Sequence, residues 1–129
     1  MSVKVDLDRL ADELANFTFA YLITVGDDYR AHTVAVDAVL TGGVLDVGNV
    51  GGGTRRNVTG RGEVTLVWPP GTSGGYTLIV DGRGELDGEQ LTVVPRHAVL
   101  HRKAAPGTVT KPGCKDDCLP LEGADAASG

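Results

Sequence analysis

The chain has 129 residues, of which 41% are hydrophobic, enough for one domain with one hydrophobic core. Its 17 acidic residues outnumber 12 basic ones, giving a net charge of −5. This balance argues against a general nucleic-acid binder and against a binder of anionic membranes, because both present a broad basic face. No apolar run has the length of a transmembrane helix, and the start of the chain lacks a secretory signal pattern. We therefore expect a cytoplasmic protein.

Two helices and six to seven strands are predicted along the chain. Apolar residues at i, i+3, i+4 and i+7 predict a leading helix over residues 6–16, with Asp6 as its N-cap. Valine-rich segments bounded by glycine turns predict strands, with a short helix inside 50–61 and a bulge at Gly82 or Gly84. The predicted strands are 19–25, 29–40, 44–49, 64–68, 76–86 and 90–94, with residues 97–103 as a possible seventh.

These short, closely spaced strands predict a mainly β fold, namely a small antiparallel barrel with one N-terminal helix and one short helix after the third strand. A barrel also protects the edges of such valine-rich strands. The barrel domain is expected to cover residues 1–103. A Pro/Gly-rich tail follows over residues 104–129, and its two cysteines, Cys114 and Cys118, are expected to be thiols in the cytoplasm.

Residues 48–62 carry three arginines and no carboxylate, although the chain as a whole is acidic. The Gly51–Gly53 run allows backbone N–H groups to approach an anion, and Thr54 is predicted to cap the short helix. Arg55 and Arg56 add cations that suit phosphate. A strand, a glycine turn and a basic helix start together are typical of a phosphate site. A plain solvated loop is the alternative interpretation, and the glycine spacing matches neither the nucleotide-triphosphate loop nor the dinucleotide fingerprint.

The chain resembles the split β-barrel family of flavin- and deazaflavin-binding proteins related to pyridoxamine 5'-phosphate oxidase. The resemblance covers about residues 5–103 and depends on the order of several short motifs. These motifs are Phe19-Ala20-Tyr21-Leu22-Ile23-Thr24-Val25, Tyr29-Arg30-Ala31-His32-Thr33-Val34-Ala35-Val36, Gly43-Val44-Leu45-Asp46-Val47, Thr54-Arg55-Arg56-Asn57-Val58 and Glu63-Val64-Thr65-Leu66-Val67-Trp68.

The resemblance implies a homodimer that holds FMN, or alternatively the deazaflavin coenzyme F-420, in a groove between two barrels. The cofactor phosphate would lie on residues 50–57 and the ring system along residues 32–36. The implied cofactor-binding residues are His32, Thr33, Val34, Ala35, Val36, Asn49, Gly52, Gly53, Thr54, Arg55, Arg56 and Asn57. The chain departs from the family in having glycines where the phosphate loop often has hydroxyls. It also lacks the C-terminal His/Arg pattern of true pyridoxamine-phosphate oxidases.

Two main functions follow from this resemblance. The first is an oxidoreductase that transfers hydride or electrons to a small organic substrate, with the cofactor supplying the chemistry and no side chain assigned a catalytic role. The second is a non-catalytic protein that binds a flavin, a deazaflavin or another phosphorylated metabolite. A small barrel that contacts protein or single-stranded nucleic acid is a third reading, which the acidic charge disfavours.

A zinc site made of His97, His101, Cys114 and Cys118 is disfavoured, because the spacing fits no standard finger.

Overall fold

The structure, a computed structural model, describes residues 2–103. In this part of the chain it has eight strands and two helices, in agreement with the predicted mainly β fold. The elements are β1 (Ser2–Val5), a 3₁₀ turn (Leu7–Arg9), α1 (Leu10–Leu14), β2 (Ala20–Val25), β3 (Ala31–Val36), β4 (Val39–Thr41), β5 (Val44–Asn49), α2 (Gly52–Gly60), β6 (Glu63–Trp68), β7 (Thr77–Asp87) and β8 (Gln90–His101). The predicted tail over 104–129, with both cysteines, lies outside the described residues.

The strands form one antiparallel sheet in the order β3-β2-β6-β7-β8-β5-β4, and β1 pairs with the second half of β8. Strands β3 and β4 lie at the two ends of this order, yet only Asp37 and Ala38 separate them in the chain. Three Cα steps span at most about 11 Å, so the two ends of the sheet must approach each other. The sheet curls into a barrel that stays split, because β3 pairs only with β2 and β4 only with β5.

The interior of the barrel is filled by alternating residues of these strands. The fully buried side chains include Leu22, Leu66, Leu78, Val80, Leu91 and Val93. Trp68, at the end of β6, is 2% exposed and belongs to this core. From α1, Leu10 is fully buried and Leu14 packs against the same cluster. The short leading helix therefore covers the core, as simple amphipathic packing predicts.

The leading segment differs from the prediction in two ways. The helix over 6–16 is a 3₁₀ turn followed by only five α-helical residues. Asp6 is the N-cap of the 3₁₀ turn, as predicted, but makes no side-chain capping hydrogen bond. In addition, Ser2–Val5 forms β1 on the edge of β8. Its sequence, Ser-Val-Lys-Val, alternates polar and β-branched residues, but four residues are a short pattern, and pairing with β8 makes this segment a strand.

Two strand boundaries were also predicted wrongly. The strand over 29–40 is two strands, because the chain changes partner from β2 to β5 at Asp37 while half-burial still alternates through Val34, Val36 and Ala38. The sixth and seventh strands are a single strand, β8.

The β7–β8 register shifts between Asp81 and Gly82, but the extra residue is Arg96 of β8, because Asp81 pairs with His97 and Gly82 with Pro95. The bulge predicted at Gly82 or Gly84 therefore lies opposite Gly82, in the partner strand. A Cβ on Gly82 would lie 2.5 Å from the carbonyl oxygen of Val94, which explains the glycine.

Candidate functional site

Helix α2 begins directly after β5 and crosses one end of the barrel. Its N-cap is Gly51 in an extended conformation, with no side-chain capping hydrogen bond. Thr54, predicted as the cap, is instead the third helical residue and is 2% exposed. The prediction of Thr54 as a cap is therefore wrong, since the N-cap is Gly51, three residues earlier, and the Thr54 side chain is buried.

Two contacts attach α2 to the barrel. The Asn57 side-chain amide donates a hydrogen bond to the hydroxyl of Thr24, 3.1 Å away on β2, and Thr24 is fully buried. The next residue, Val58, is buried against the sheet, where a Cβ on Gly84 would lie 3.0 Å from its side chain. A buried hydroxyl is costly unless it is hydrogen-bonded, so Asn57 fixes the position of α2 on the barrel.

A concave site of about 360 Å³ lies between α2 and the chain segment that leads into β3. Four of the predicted residues meet there: His32, Gly53, Arg56 and Asn57. A Cβ on Gly53 would lie 3.7 Å from Nε2 of His32 and 4.0 Å from Nη2 of Arg56. Gly53 therefore keeps a space open between an imidazole and a guanidinium, and the residues present fit an anionic group such as a phosphate.

The charge of this site is positive in an acidic protein. Arg56 is exposed, and within residues 2–103 no carboxylate lies within 4.0 Å of its guanidinium. Arg30 also lines the site, and among the described residues it has one ion pair, a long contact of 3.8 Å with Asp28 between two well-exposed side chains. Such an exposed pair contributes little, so both guanidinium groups are available to an incoming anion.

The remaining predicted residues of the glycine-rich segment lie outside this concavity. Arg55 donates a hydrogen bond from Nη1 to the carbonyl oxygen of Val50, which ties the helix start to the end of β5. Gly52 is exposed beside Arg55, and Asn49 is exposed opposite Gln90 at the end of β5. Of the two adjacent arginines, the geometry thus assigns Arg56 to the site and Arg55 to the loop.

The predicted ring-binding segment forms β3, which runs away from the concavity. His32, Val34 and Val36 lie on the core side, because they pair with the buried residues Thr24, Leu22 and Ala20 of β2. Thr33 and Ala35 lie on the outer side and are exposed. Because β3 pairs with β2 alone, its other edge leaves backbone groups without a strand partner within the described residues.

The turn over residues 26–30 closes the site, and the sequence, which predicts a turn at residues 26–28, gave it no part in cofactor binding. Its backbone is fixed by hydrogen bonds from Tyr29 N–H to the Gly26 carbonyl (2.9 Å) and from Gly26 N–H to the Arg30 carbonyl (3.1 Å). Asp28 accepts a hydrogen bond from the Arg30 N–H (3.0 Å). Gly26, Asp28 and Arg30 all line the concavity. The available signal was the pair Tyr29-Arg30 after Gly26-Asp27-Asp28, which was read as the start of a strand.

The other candidate sites find no support within residues 2–103. His97 and His101 lie on the same face of β8, but no group of three or more His, Cys, Asp or Glu side chains there could hold a metal ion. The cysteines of the disfavoured zinc site lie outside the described residues. No described helix is long and apolar enough to cross a membrane.

Comparison with solved structures defines the class of this fold. An F420 reductase superimposes with a TM-score of 0.54 at 16% identity, covering 67% of this chain and 91% of that chain. A FAD-binding protein from Mesorhizobium loti superimposes with a TM-score of 0.62 at 12% identity, covering 78% of this chain and 96% of that chain. A Listeria innocua protein named as a candidate pyridoxamine 5'-phosphate oxidase superimposes with a TM-score of 0.59 at 16% identity, covering 73% of this chain and 96% of that chain. The fold is therefore that of the pyridoxamine 5'-phosphate oxidase-like split barrels, which confirms the predicted resemblance.

No family model matches the chain, but two mycobacterial relatives do. The chain is 49% identical over 133 residues to the uncharacterized protein Mb0449c of Mycobacterium bovis, covering 90% of this chain and 94% of the relative. The uncharacterized protein MT0457 of Mycobacterium tuberculosis matches with the same identity and coverage. The chain belongs to the family of these two proteins.

Proposed function

We propose that this protein binds a flavin-type cofactor and uses it as an oxidoreductase on a small organic substrate. The observation that carries the proposal is Arg56, a guanidinium without a carboxylate partner in residues 2–103, beside the open space at Gly53 and the ring of His32. A phosphate there would gain charge-assisted hydrogen bonds and the favourable end of the α2 dipole. The fold is one that proteins named as FAD-binding and as F420 reductase also have.

In this proposal the cofactor ring lies along β3. The open edge of β3 offers backbone donors and acceptors for a flat heterocycle, and Val34 and Val36 are half-buried on the core side. When bound, the cofactor supplies the uptake and release of a hydride or electrons. The protein's own residues orient it: Arg30 and Arg56 hold the anionic end, and Asn57 keeps α2 in place through Thr24.

The proposal includes a homodimer, which is supported by an apolar row on the outer face of the sheet. Strand pairing places Ala35, Tyr21, Val67, Ile79 and Val99 side by side across five strands, a row of about 19 Å. None of these side chains is buried, and Tyr21 is 40% exposed. An exposed apolar row of this kind is typical of a self-complementary interface. Sedimentation equilibrium is expected to give twice the 13.4 kDa mass of the chain, and a monomer would contradict this part of the proposal.

The proposed cytoplasmic location rests on the sequence alone.

A fluorescence titration with FMN, FAD and coenzyme F-420 tests the cofactor. We expect at least one of them to bind, and Arg56→Ala to weaken it by tenfold to about a hundredfold, because a hydrogen bond to a charged group contributes about 1.5–3 kcal/mol. Arg9→Ala is the matched control, since Arg9 is exposed and paired with Asp12 on another part of the chain. Equal binding by both variants would overturn the assignment of the site.

Turnover separates the enzyme from the non-catalytic alternative. The loaded protein is mixed with a reductant and then with a panel of quinones and other small acceptors, and reoxidation of the cofactor is followed by absorbance. Reoxidation faster than that of the free cofactor supports the oxidoreductase. Reoxidation at the rate of the free cofactor would leave cofactor binding as the function.

A further inference from the structure

The turn over residues 26–30 contains a feature that the proposed phosphate site does not use. Tyr29 has a left-handed backbone conformation, with φ at 62°, whereas the other positive-φ positions within residues 2–103 are all glycines. A non-glycine residue pays a steric cost there, and a bulky aromatic one is a genuine exception. The chain thus carries a tyrosine at a turn position where glycine or asparagine is the easier residue.

The Tyr29 ring is an open platform with one face supported. The guanidinium of Arg61 lies 4.6 Å from the ring centroid on one face, and Asp27 holds that guanidinium through a 3.2 Å ion pair. The Tyr29 residue as a whole is 77% exposed, more than any other large hydrophobic residue described. The second face of the ring is therefore accessible, and a planar ring could stack on it.

The turn places this platform in line with the phosphate site. The turn runs alongside α2. Gly26, at its start, lies beside Asn57. Asp27 lies beside Gly60, where a Cβ would be 3.5 Å from the Asp27 carboxylate. Gly60 lies about 10 Å along the helix axis from Gly53. The chain then returns through Arg30 to His32. The resulting order is the β3 edge, then the arginines and His32, and then Tyr29.

Charge divides this line into two halves. The half at Gly53 has Arg30, Arg56 and His32 and one carboxylate, Asp28, which is paired with Arg30, so it keeps a positive charge that suits phosphate. The half at Tyr29 has the exposed carboxylate of Asp27, which is paired with Arg61 and can accept hydrogen bonds from sugar hydroxyls or an exocyclic amine. A neutral planar base attached through a sugar therefore fits this half better than a string of carboxylates.

From this order we infer that the cofactor is a dinucleotide: its diphosphate lies between Arg30 and Arg56, and its adenine stacks on the free face of Tyr29. The inference rests on the proposed function and deepens it, because it selects FAD over FMN and over a deazaflavin with an oligoglutamate tail. Tyr29 lies in the chain between Asp28 and Arg30, which both line the concavity, so the ribose is the part of the ligand that joins the two halves. The flavin ring then extends in the opposite direction, along β3.

The test compares FAD with FMN on three proteins: the wild type, Tyr29→Asn and Tyr29→Phe. Asparagine tolerates the left-handed conformation, so Tyr29→Asn removes the ring while preserving the turn, and Tyr29→Phe keeps the ring. Melting temperatures measured for each variant confirm that it is folded. We expect the wild type to bind FAD about tenfold tighter than FMN, Tyr29→Asn to lose this preference, and Tyr29→Phe to retain it. FMN affinity is expected to stay unchanged in both variants.

Two results would overturn the inference while leaving the proposed function intact. The first is FMN, or an oligoglutamyl deazaflavin, binding to the wild type as tightly as FAD. The second is Tyr29→Asn weakening FAD and FMN by the same factor. Failure of every flavin and deazaflavin to bind the wild type would instead overturn the proposed function itself. ADP, titrated as a competitor of FAD, gives an independent readout, and its competition is expected to weaken about tenfold in Tyr29→Asn.

Discussion

Two glycine-rich segments flank β6, and they have different environments. The segment at 51–53 opens α2 and faces His32 and Arg56. The segment at 69–75 joins β6 to β7 and borders a hollow of about 300 Å³ lined by Phe17, Tyr76 and the carboxylate side chain of Glu13. Within residues 2–103 no arginine or lysine lines this hollow, although the Arg102 guanidinium lies 4.5 Å from the centroid of the Tyr76 ring. Both segments allow close approach of the backbone, so glycine content does not distinguish them. The two segments are distinguished by the charged side chains that the fold brings next to each of them.

The two segments also differ in how they are held. The first is continuous with a nine-residue helix that Asn57 attaches to the buried hydroxyl of Thr24. The second is a turn with a positive φ at Gly74 and one backbone hydrogen bond from Gly75 to Thr72. A site that must present donors to a ligand benefits from fixed geometry. The comparison therefore favours the first segment as the ligand site, and two substitutions test it.

The largest effect is expected from a carboxylate placed at Gly53. The side chain of Gly53→Asp would enter the space between His32 and Arg56 and compete with the phosphate, so cofactor affinity is expected to fall by about a hundredfold or more. Folding should survive, because aspartate in the first turn of a helix is favourable. Gly71→Asp is the matched control, since a Cβ at Gly71 meets nothing within 4 Å. Titration of both variants with the cofactor measures the two affinities. An equal loss of affinity in both would contradict the assignment of the ligand site to the first segment.

A smaller effect is expected on the attachment of α2. Asn57→Ala leaves the Thr24 hydroxyl buried without this partner, which is expected to lower the free energy of unfolding by about 1–2 kcal/mol. Thr72→Ala, in the exposed turn of the second segment, is expected to change it by less than about 0.5 kcal/mol. Urea unfolding measures both. If the two variants were equally stable, α2 would depend on Val58 packing rather than on the Asn57 hydrogen bond.

The sequence predicted the short helix after β5 well and its chemistry in part. Local signals were enough to predict a short basic helix after a glycine turn, because turn residues and charge are properties of neighbouring residues. They could not separate Arg55 from Arg56, which differ by one position and therefore by about 100° around the helix. Only packing shows that Arg55 turns back to Val50 while Arg56 faces His32.

The same limit explains the errors in the strands. Half-burial alternates without interruption from Val34 to Leu40, so no local pattern marks the change of partner at Asp37. The division of this segment into β3 and β4 follows from the curl of the sheet. Likewise, β1 is a strand because β8 offers it an edge. Long-range pairing decides both features, and a single sequence contains no direct record of it.

Periodicity and turn residues alone indicate a small antiparallel barrel, and the order of short motifs indicates the pyridoxamine 5'-phosphate oxidase-like fold. Which side chains share a site becomes visible only in the folded chain. Folding brought the turn at 26–30 against a helix some thirty residues later, and so joined Arg30 to Arg56 and Tyr29 to Arg61. The physical reason is that propensity and charge act over a few residues, whereas a binding site is assembled by contacts between distant parts of the chain.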